Sequence, residues 1–168
     1  ADEALAFAML PMLEARGVLY DAFRAMEKRV YAVSHKDPVC ALLMTAPGVG
    51  PVTALAFKAA IDDPARFTSS RLVGSHFGLT PRRFQSGEMD NPGRISRAGD
   101  RGVRVTLYTA ANSLLLRSTR PSALKTWGLR LARTKGRRRA LVAVARKLAV
   151  ILHRMWVTNT PFLSEGAA

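Results

Sequence analysis

One cysteine stands in the whole chain, Cys40, so no internal disulfide can form. Histidine is almost as scarce, with three copies, and no Cys/His cluster carries the spacing of a zinc site. A chain so poor in thiols suits a reducing cytoplasm. No apolar run approaches the length of a bilayer-spanning helix, and no signal peptide or Walker-type lysine loop is present. Carboxylates are the most telling shortage, because it is local. Residues 91–168 hold two acidic side chains against sixteen lysines and arginines. Residues 1–33 hold five against four, and residues 34–90 five against six, so the whole excess of +14 lies in the last segment. A surface like that fits a polyanion, most simply nucleic acid. An anionic membrane is the rival partner, but the apolar faces read as core faces rather than an interfacial helix, which argues for no membrane.

What is present is enough for a core. At 168 residues and 48% hydrophobic composition, disorder is excluded, and either one domain or a small domain with an appended helix is expected. The chain opens on Ala1 without a methionine, as a piece of a longer protein would. Leu5, Met9, Met12, Leu19, Phe23, Met26, Val30 and Val33 recur at 4-3 spacing, which predicts one long helix over residues 2–33. That spacing fits a helix–helix seam between chains or an amphipathic helix lying on its own domain. Pro11 and Gly17 argue against a single straight helix. Ser34–Pro38 reads as a break, and Val39–Met44 as a short apolar helix.

Ala46–Ala54, APGVGPVTA, has the pattern of a helix–hairpin–helix element: a tight Gly-x-Gly turn, then an apolar helix. Gly48 and Gly50 would let backbone approach a phosphate, and the amides near Val52 and Thr53 would donate to it. A plain turn between two core helices fits the same residues. Asp62-Asp63-Pro64 reads as a solvated helix end rather than a metal site, for want of a third carboxylate. Thr68-Ser69-Ser70 is expected to cap a short helix towards Phe77, with His76 a packing or surface residue. Arg82–Ser86 reads as a strand, Gly87–Gly93 as a turn-rich connection and Arg94–Arg97 as a return strand.

The stretch Asn91–Arg104, NPGRISRAGDRGVR, sets Ser96 between Arg94 and Arg97, with Arg101 and Arg104 following at helical spacing. Asn-Pro-Gly is a turn signal, and Gly99-Asp100 a second break before a helix to about Arg117. Val103, Leu107, Ala110, Ala111 and Leu114 form that helix's buried face, and Arg101, Arg104 and Tyr108 share another. A hydroxyl among guanidiniums at a loop-to-helix junction suits attack on a phosphodiester. A basic loop touching a DNA backbone, with Ser96 an ordinary turn serine, also fits. Pro121 is expected to open a further helix to Arg133, Thr134–Arg139 to form a basic turn, and a last helix to span Arg138–Val157. Lys135, Arg137, Arg138 and Arg139 sit on the turn. Arg139, Arg146, Lys147 and Arg154 recur as a basic stripe with almost no acids to pair them, opposite an inward face of Leu141, Val144, Ala145, Leu148, Ile151, Leu152 and Met155. The tail after Pro161 reads as frayed.

Taken in order, APGVGPVTA, FGLTPRRFQSG, GRISRAGDRGVR and RKLAVILHRMW resemble the C-terminal half of the insertion-sequence-one-hundred-ten transposases and the Piv-type DNA invertases. The resemblance covers about residues 39–160, and residues 1–33 match the family's helical connector more loosely. It implies a transposase domain joined by a coiled-coil segment to an N-terminal RuvC-like nuclease fold, in recombinases guided by a bridge RNA that pairs with target and donor DNA. It also implies that Ser96 attacks the phosphodiester and forms a covalent phosphoserine link, with Arg94, Arg97, Arg101 and Arg104 positioning phosphate. The acidic magnesium-binding tetrad would belong to the RuvC-like half, so this chain carries no cofactor and alone should be inactive or nearly so. The expected architecture is mainly α: a connector and dimerising helix over 1–37, a helical domain over 38–160 with a helix–hairpin–helix-like element and one small β-hairpin, and a tail over 161–168. The expected partners are DNA, guide RNA and further copies of the chain. The competing function is a non-catalytic helix–hairpin–helix nucleic-acid-binding and dimerisation module.

Overall fold

A computed structural model describes residues 3–86 and 89–164. Its centre is the last helix, which spans Arg137–Thr158 and on which most of the other elements converge. Leu, Ala, Lys and Arg, all strong helix formers, fill much of it, and its apolar positions fall on one side. Leu141, Val144, Ala145, Leu148, Leu152 and Met155 are buried as the spacing predicts, and Ile151 is half-buried.

In chain order the elements are α1 (Glu3–Lys36), α2 (Pro38–Leu43), α3 (Pro51–Ile61), a 3-10 turn (Pro64–Arg66), α4 (Arg71–His76), β1 (Pro81–Ser86), β2 (Met89–Ile95), α5 (Arg101–Leu116), α6 (Ala123–Lys135) and α7, the central helix. The fold is therefore mainly α with one antiparallel hairpin, as expected. α5 buries Val103, Leu107, Ala110, Ala111 and Leu114 against α3 and α7. Phe57 of α3 and Phe77 after α4 meet at 5.8 Å between ring centroids in the same core. No helix among the described residues is long and apolar enough to cross a membrane.

The N-terminal helix differs from expectation in two ways. It runs unbroken through Pro11 and Gly17, since one missing amide donor does not end a ladder of 34 residues. It also stands clear of the domain over much of its length, although its C-terminal half meets α2 and α3. Leu5 is 60% exposed, Phe7 84% and Phe23 61%, and Ser34 alone among its described residues is buried. The 4-3 seam is thus left exposed along most of its length among the described residues, with packing on this chain confined to its C-terminal half.

The predicted break at Ser34–Pro38 narrows to one residue, Asp37, between α1 and α2. Asp37 Oδ1 accepts from the Cys40 amide at 2.9 Å, capping α2, while its Oδ2 pairs with Lys58 Nζ of α3. The hydrogen bond from Lys58 holds this carboxyl below its ordinary value of 3.8. Asp37→Ala should therefore lower stability at pH 7 by about 1–2 kcal/mol, the range for losing a cap. Because the folded-state pKa is lowered, the difference from wild type is present above pH 3.8 and shrinks as the pH falls through the folded value. Thermal melts of the two proteins between neutral and acid pH check both statements. Cys40 itself lies wholly buried, and desolvation pushes its thiol up to about 11.

Several local expectations give way to side-chain chemistry. Ser70 does not cap α4. Its hydroxyl is bonded to Nδ1 of the buried His153 at 2.8 Å, while Nε2 of the same ring reaches the Pro64 carbonyl at 3.0 Å. One histidine on α7 thus fixes both ends of the 64–70 segment. Pro121 lies outside α6, which starts at Ala123 with Ser122 accepting from the Lys125 amide. The basic turn contracts to Gly136, where φ of 82° reverses the chain between two helices. The frayed tail is docked as far as Phe162: its amide donates to Thr45 Oγ1 at 2.9 Å, and its half-buried ring packs on the core.

The hairpin also differs. Asn91-Pro92-Gly93 lies inside β2 rather than in a turn, with Asn91 paired to Phe84 and Pro92 to Arg83. The register shifts between Pro81, opposite Ile95, and Arg83, opposite Pro92, so β2 carries one extra residue there. Such a bulge accommodates a proline without a ladder donor. Gly87 and Glu88, where the connection was expected, lie outside the described residues.

Candidate active site and basic surface

Ser96 is the first residue after β2, and its backbone is held from both sides. Its amide donates to the Thr80 carbonyl at 2.8 Å, and its carbonyl accepts from Arg82 Nη2 at 3.1 Å. The Arg97 amide donates to the Gly78 carbonyl at 3.1 Å. Arg97 itself takes φ of 57°, a left-handed conformation uncommon outside glycine, asparagine and aspartate. The Ser96 side chain is half-buried, and among the described residues it has one weak hydrogen-bond contact: the Ala98 amide lies 3.4 Å from Oγ. The backbone is thus fixed and the hydroxyl nearly unencumbered, at a place where unusual dihedrals gather in functional sites.

Two glycines make the close approach possible. Gly78, with φ of 64°, lies so near the Ser96 turn that a Cβ there would fall 2.3 Å from the Ala98 carbonyl oxygen. Gly99, with φ of 74°, lies equally near α4, its hypothetical Cβ 2.1 Å from the His76 carbonyl. Asp100 then caps α5, its Oδ1 accepting from the Val103 amide at 2.9 Å. Arg94, Arg97 and Arg101 are exposed around this turn. Arg104 is half-buried, and its Nη1 faces the carbonyls of Ala98 (2.7 Å), Gly99 (3.0 Å) and Phe77 (3.3 Å). His76 is exposed and edge-on to Phe67 and Phe77. Arg82, Thr80 and Gly78 are members of the site that the sequence reading did not single out, although all three stand in the FGLTPRR string.

The glycine turn between α2 and α3 lies elsewhere on α5. Gly48 fits against the helix backbone, where a Cβ would meet the Ala110 carbonyl at 2.4 Å. That contact gives Gly48 a packing role. It also sets the turn nine residues along α5 from Arg101, roughly 14 Å at helical rise. Thr53 is buried, its hydroxyl 3.5 Å from the Thr106 carbonyl, whereas Val52 is exposed and Gly50 has open space beyond its Cα. Gly50 caps α3 with no side-chain partner for the first amides.

The remaining basic residues fall into two groups. Lys135, Arg137, Arg138 and Arg139 crowd the α6–α7 turn, exposed, with Arg137 Nη2 donating to Asn112 Oδ1 at 2.9 Å. Arg137–Arg139 occupy the first turn of α7, the positive end of its dipole, with no acidic residue there. Cations at that end are unfavourable by about 0.3–1 kcal/mol each, so stability does not explain them. The stripe on α7 divides. Arg146 lies across Gly74 of α4, while Lys147 Nζ stands 5.0 Å above the Trp127 ring of α6. Among the described residues the two ion pairs are Arg24–Glu27 and Lys58–Asp37, so no cation of segment 94–154 is shown paired with a carboxylate.

The Transposase IS116/IS110/IS902 family matches residues 40–128, more than half of the chain. The chain belongs to this family. The matched span begins within α2, includes the glycine turn, α3 to α5 and Ser96, and ends within α6. Among curated relatives of this family member, the transposase for insertion sequence element IS1111A of Coxiella burnetii is 32% identical over 133 residues, covering 79% of this chain and 36% of the relative. A putative transposase, y4pF/y4sB, of Sinorhizobium fredii is 30% identical over 148 residues, covering 86% and 38%. The pilin gene-inverting protein of Moraxella bovis is 30% identical over 123 residues, covering 72% and 38%. The chain thus spans little more than a third of the length of these relatives.

Proposed function

We propose that this chain is the C-terminal part of a DNA recombinase in which Ser96 becomes covalently joined to a DNA strand. The observation that carries the reading is the Ser96 turn: backbone bonded to Thr80, Arg82 and Gly78, a left-handed Arg97, and a hydroxyl with one weak hydrogen-bond contact among the described residues. In the proposed step Ser96 Oγ attacks phosphorus, the new P–O bond forms as the bond to one sugar oxygen breaks, and the hydroxyl proton leaves while that sugar oxygen gains one. The count of phosphate ester bonds is unchanged, so the reverse attack by another strand's hydroxyl rejoins DNA without a nucleotide cofactor. Arg94, Arg97 and Arg101 stabilise charge on the non-bridging oxygens.

Magnesium, which the family resemblance implies, is assigned to a RuvC-like half outside this chain. Among the described residues no three His, Cys, Asp or Glu side chains converge as a metal site, so no step here is routed through one. The α6–α7 turn, Arg146 and Lys147 bind nucleic acid backbone, DNA or guide RNA, and the exposed apolar positions of α1 pair with another copy. The first amides of α3, past Gly50, offer a further phosphate contact, with Val52 and Thr53 as the donors.

The experiment is to incubate the full-length recombinase with its RNA and DNA, denature it, and isolate covalent protein–DNA adducts. Mass spectrometry of the digested adduct should place a nucleotide on Ser96. Efficient strand exchange with no such adduct would favour the rival reading, in which this chain is a non-catalytic binding and dimerisation module.

A further inference from the structure

We infer that Arg104 is a positioning residue that clamps the Ser96 turn onto the end of α4, and not a phosphate ligand. Its Nη1 carries two N–H bonds and faces three backbone carbonyls, Ala98 and Gly99 on the turn and Phe77 on the far side. The donors of that nitrogen are therefore consumed within the protein. The three carbonyls belong to the two chain segments that Gly78 and Gly99 let approach so closely that a Cβ on either glycine would clash with backbone. Carbonyls packed so closely repel one another, and a guanidinium between them offsets the repulsion with charge-assisted hydrogen bonds. The arginine lies on the second turn of α5, so it ties three elements at one point: the cap of α5, the end of α4 and the turn that carries Ser96. Arg97 and Arg101, by contrast, are exposed.

The clamp is a statement about backbone order, and only its effect on rate rests on Ser96 as the nucleophile. Amide hydrogen exchange reads it directly on the 168-residue chain. In Arg104→Gln the Ser96 and Arg97 amides, bonded to Thr80 and Gly78, should exchange at least about tenfold faster, while Leu148 and Leu152 amides in α7 keep wild-type rates and report an intact fold. Unchanged exchange at Ser96 and Arg97 overturns the inference. A second reading comes from binding to a short DNA duplex at several salt concentrations. Each lost phosphate contact lowers the slope of log affinity against log salt by about 0.9. Arg97→Gln and Arg101→Gln should each show that drop, and Arg104→Gln should not; a drop of that size for Arg104→Gln also overturns the clamp.

If Arg104→Gln fails to fold, Arg104→Lys replaces it. Lysine keeps the charge that a phosphate contact needs, but its ammonium sits one bond short of the Nη1 position, so a clamp predicts fast exchange and a phosphate ligand predicts wild-type exchange. In the full-length recombinase Arg104→Lys should slow strand joining by about 100-fold with DNA affinity unchanged, the scale of a reacting group displaced by an ångström. The two proposals separate cleanly. Loosened amides in Arg104→Gln together with full activity in Ser96→Ala would keep the clamp and remove the nucleophile.

Discussion

Ser96→Ala should leave the full-length recombinase folded and bound to DNA but at least about 1,000-fold slower in strand joining, since losing a covalent nucleophile removes the route itself. The structural side of this expectation is unusually clean. Among the described residues Ser96 Oγ has one hydrogen-bond contact, the Ala98 amide at 3.4 Å, so its loss should change stability by no more than about 0.5 kcal/mol. The turn is held by backbone groups that alanine retains: the Ser96 amide to Thr80 and the Arg97 amide to Gly78. An activity loss therefore cannot be blamed on misfolding. Melting temperature, DNA affinity and single-turnover joining, measured side by side, decide the matter. Joining within tenfold of wild type would show that the hydroxyl is not the attacking group.

Gly78→Ala should have a large effect on the fold for a single added methyl group. Alanine in the left-handed region costs about 1–2 kcal/mol before any contact is considered. Here the new methyl would also stand 2.3 Å from the Ala98 carbonyl oxygen and 2.4 Å from its amide nitrogen, both backbone atoms that cannot rotate away. The α4 end and the Ser96 turn must part, and the bond from Arg97 to Gly78 with them. A total near 3 kcal/mol follows, a fall of about 6–12 °C in melting temperature for a chain of this size. Gly17→Ala is the control. It lies in the middle of α1 with nothing within 4 Å of a Cβ, and it should stabilise slightly, by about 0.5–1 kcal/mol. Equal melting of Gly78→Ala and wild type would mean that the seam between α4 and the turn is loose in solution.

The helical periodicity of α5 and α7 was legible because their apolar residues recur at the helical period on one buried face, and the core follows those positions almost residue by residue. The family was legible for a different reason: GRISRAGDRGVR and its neighbouring strings are specific as strings, whatever they pack against. What escaped was chemistry between residues distant in sequence. Ser70 looked like a cap, yet its partner His153 lies 83 positions away. Phe162 looked frayed, yet its amide is met by Thr45 from 117 positions away. Asn-Pro-Gly reads locally as a turn, and a bulge opposite Pro81 absorbs it into a strand. Arg104 looked like its neighbours Arg97 and Arg101, because a sequence does not show that Phe77 and Gly99 present carbonyls to one of the three.

α1 rises at about 1.5 Å per residue, so its 34 residues make a rod of about 50 Å. The rod passes into α2 at one residue, Asp37, latched to Lys58, and its C-terminal half also rests against the start of α3. Tilting such a lever by ten degrees sweeps its far tip at Glu3 through about 9 Å, so a small change where α1 meets α2 and α3 is magnified along the shaft.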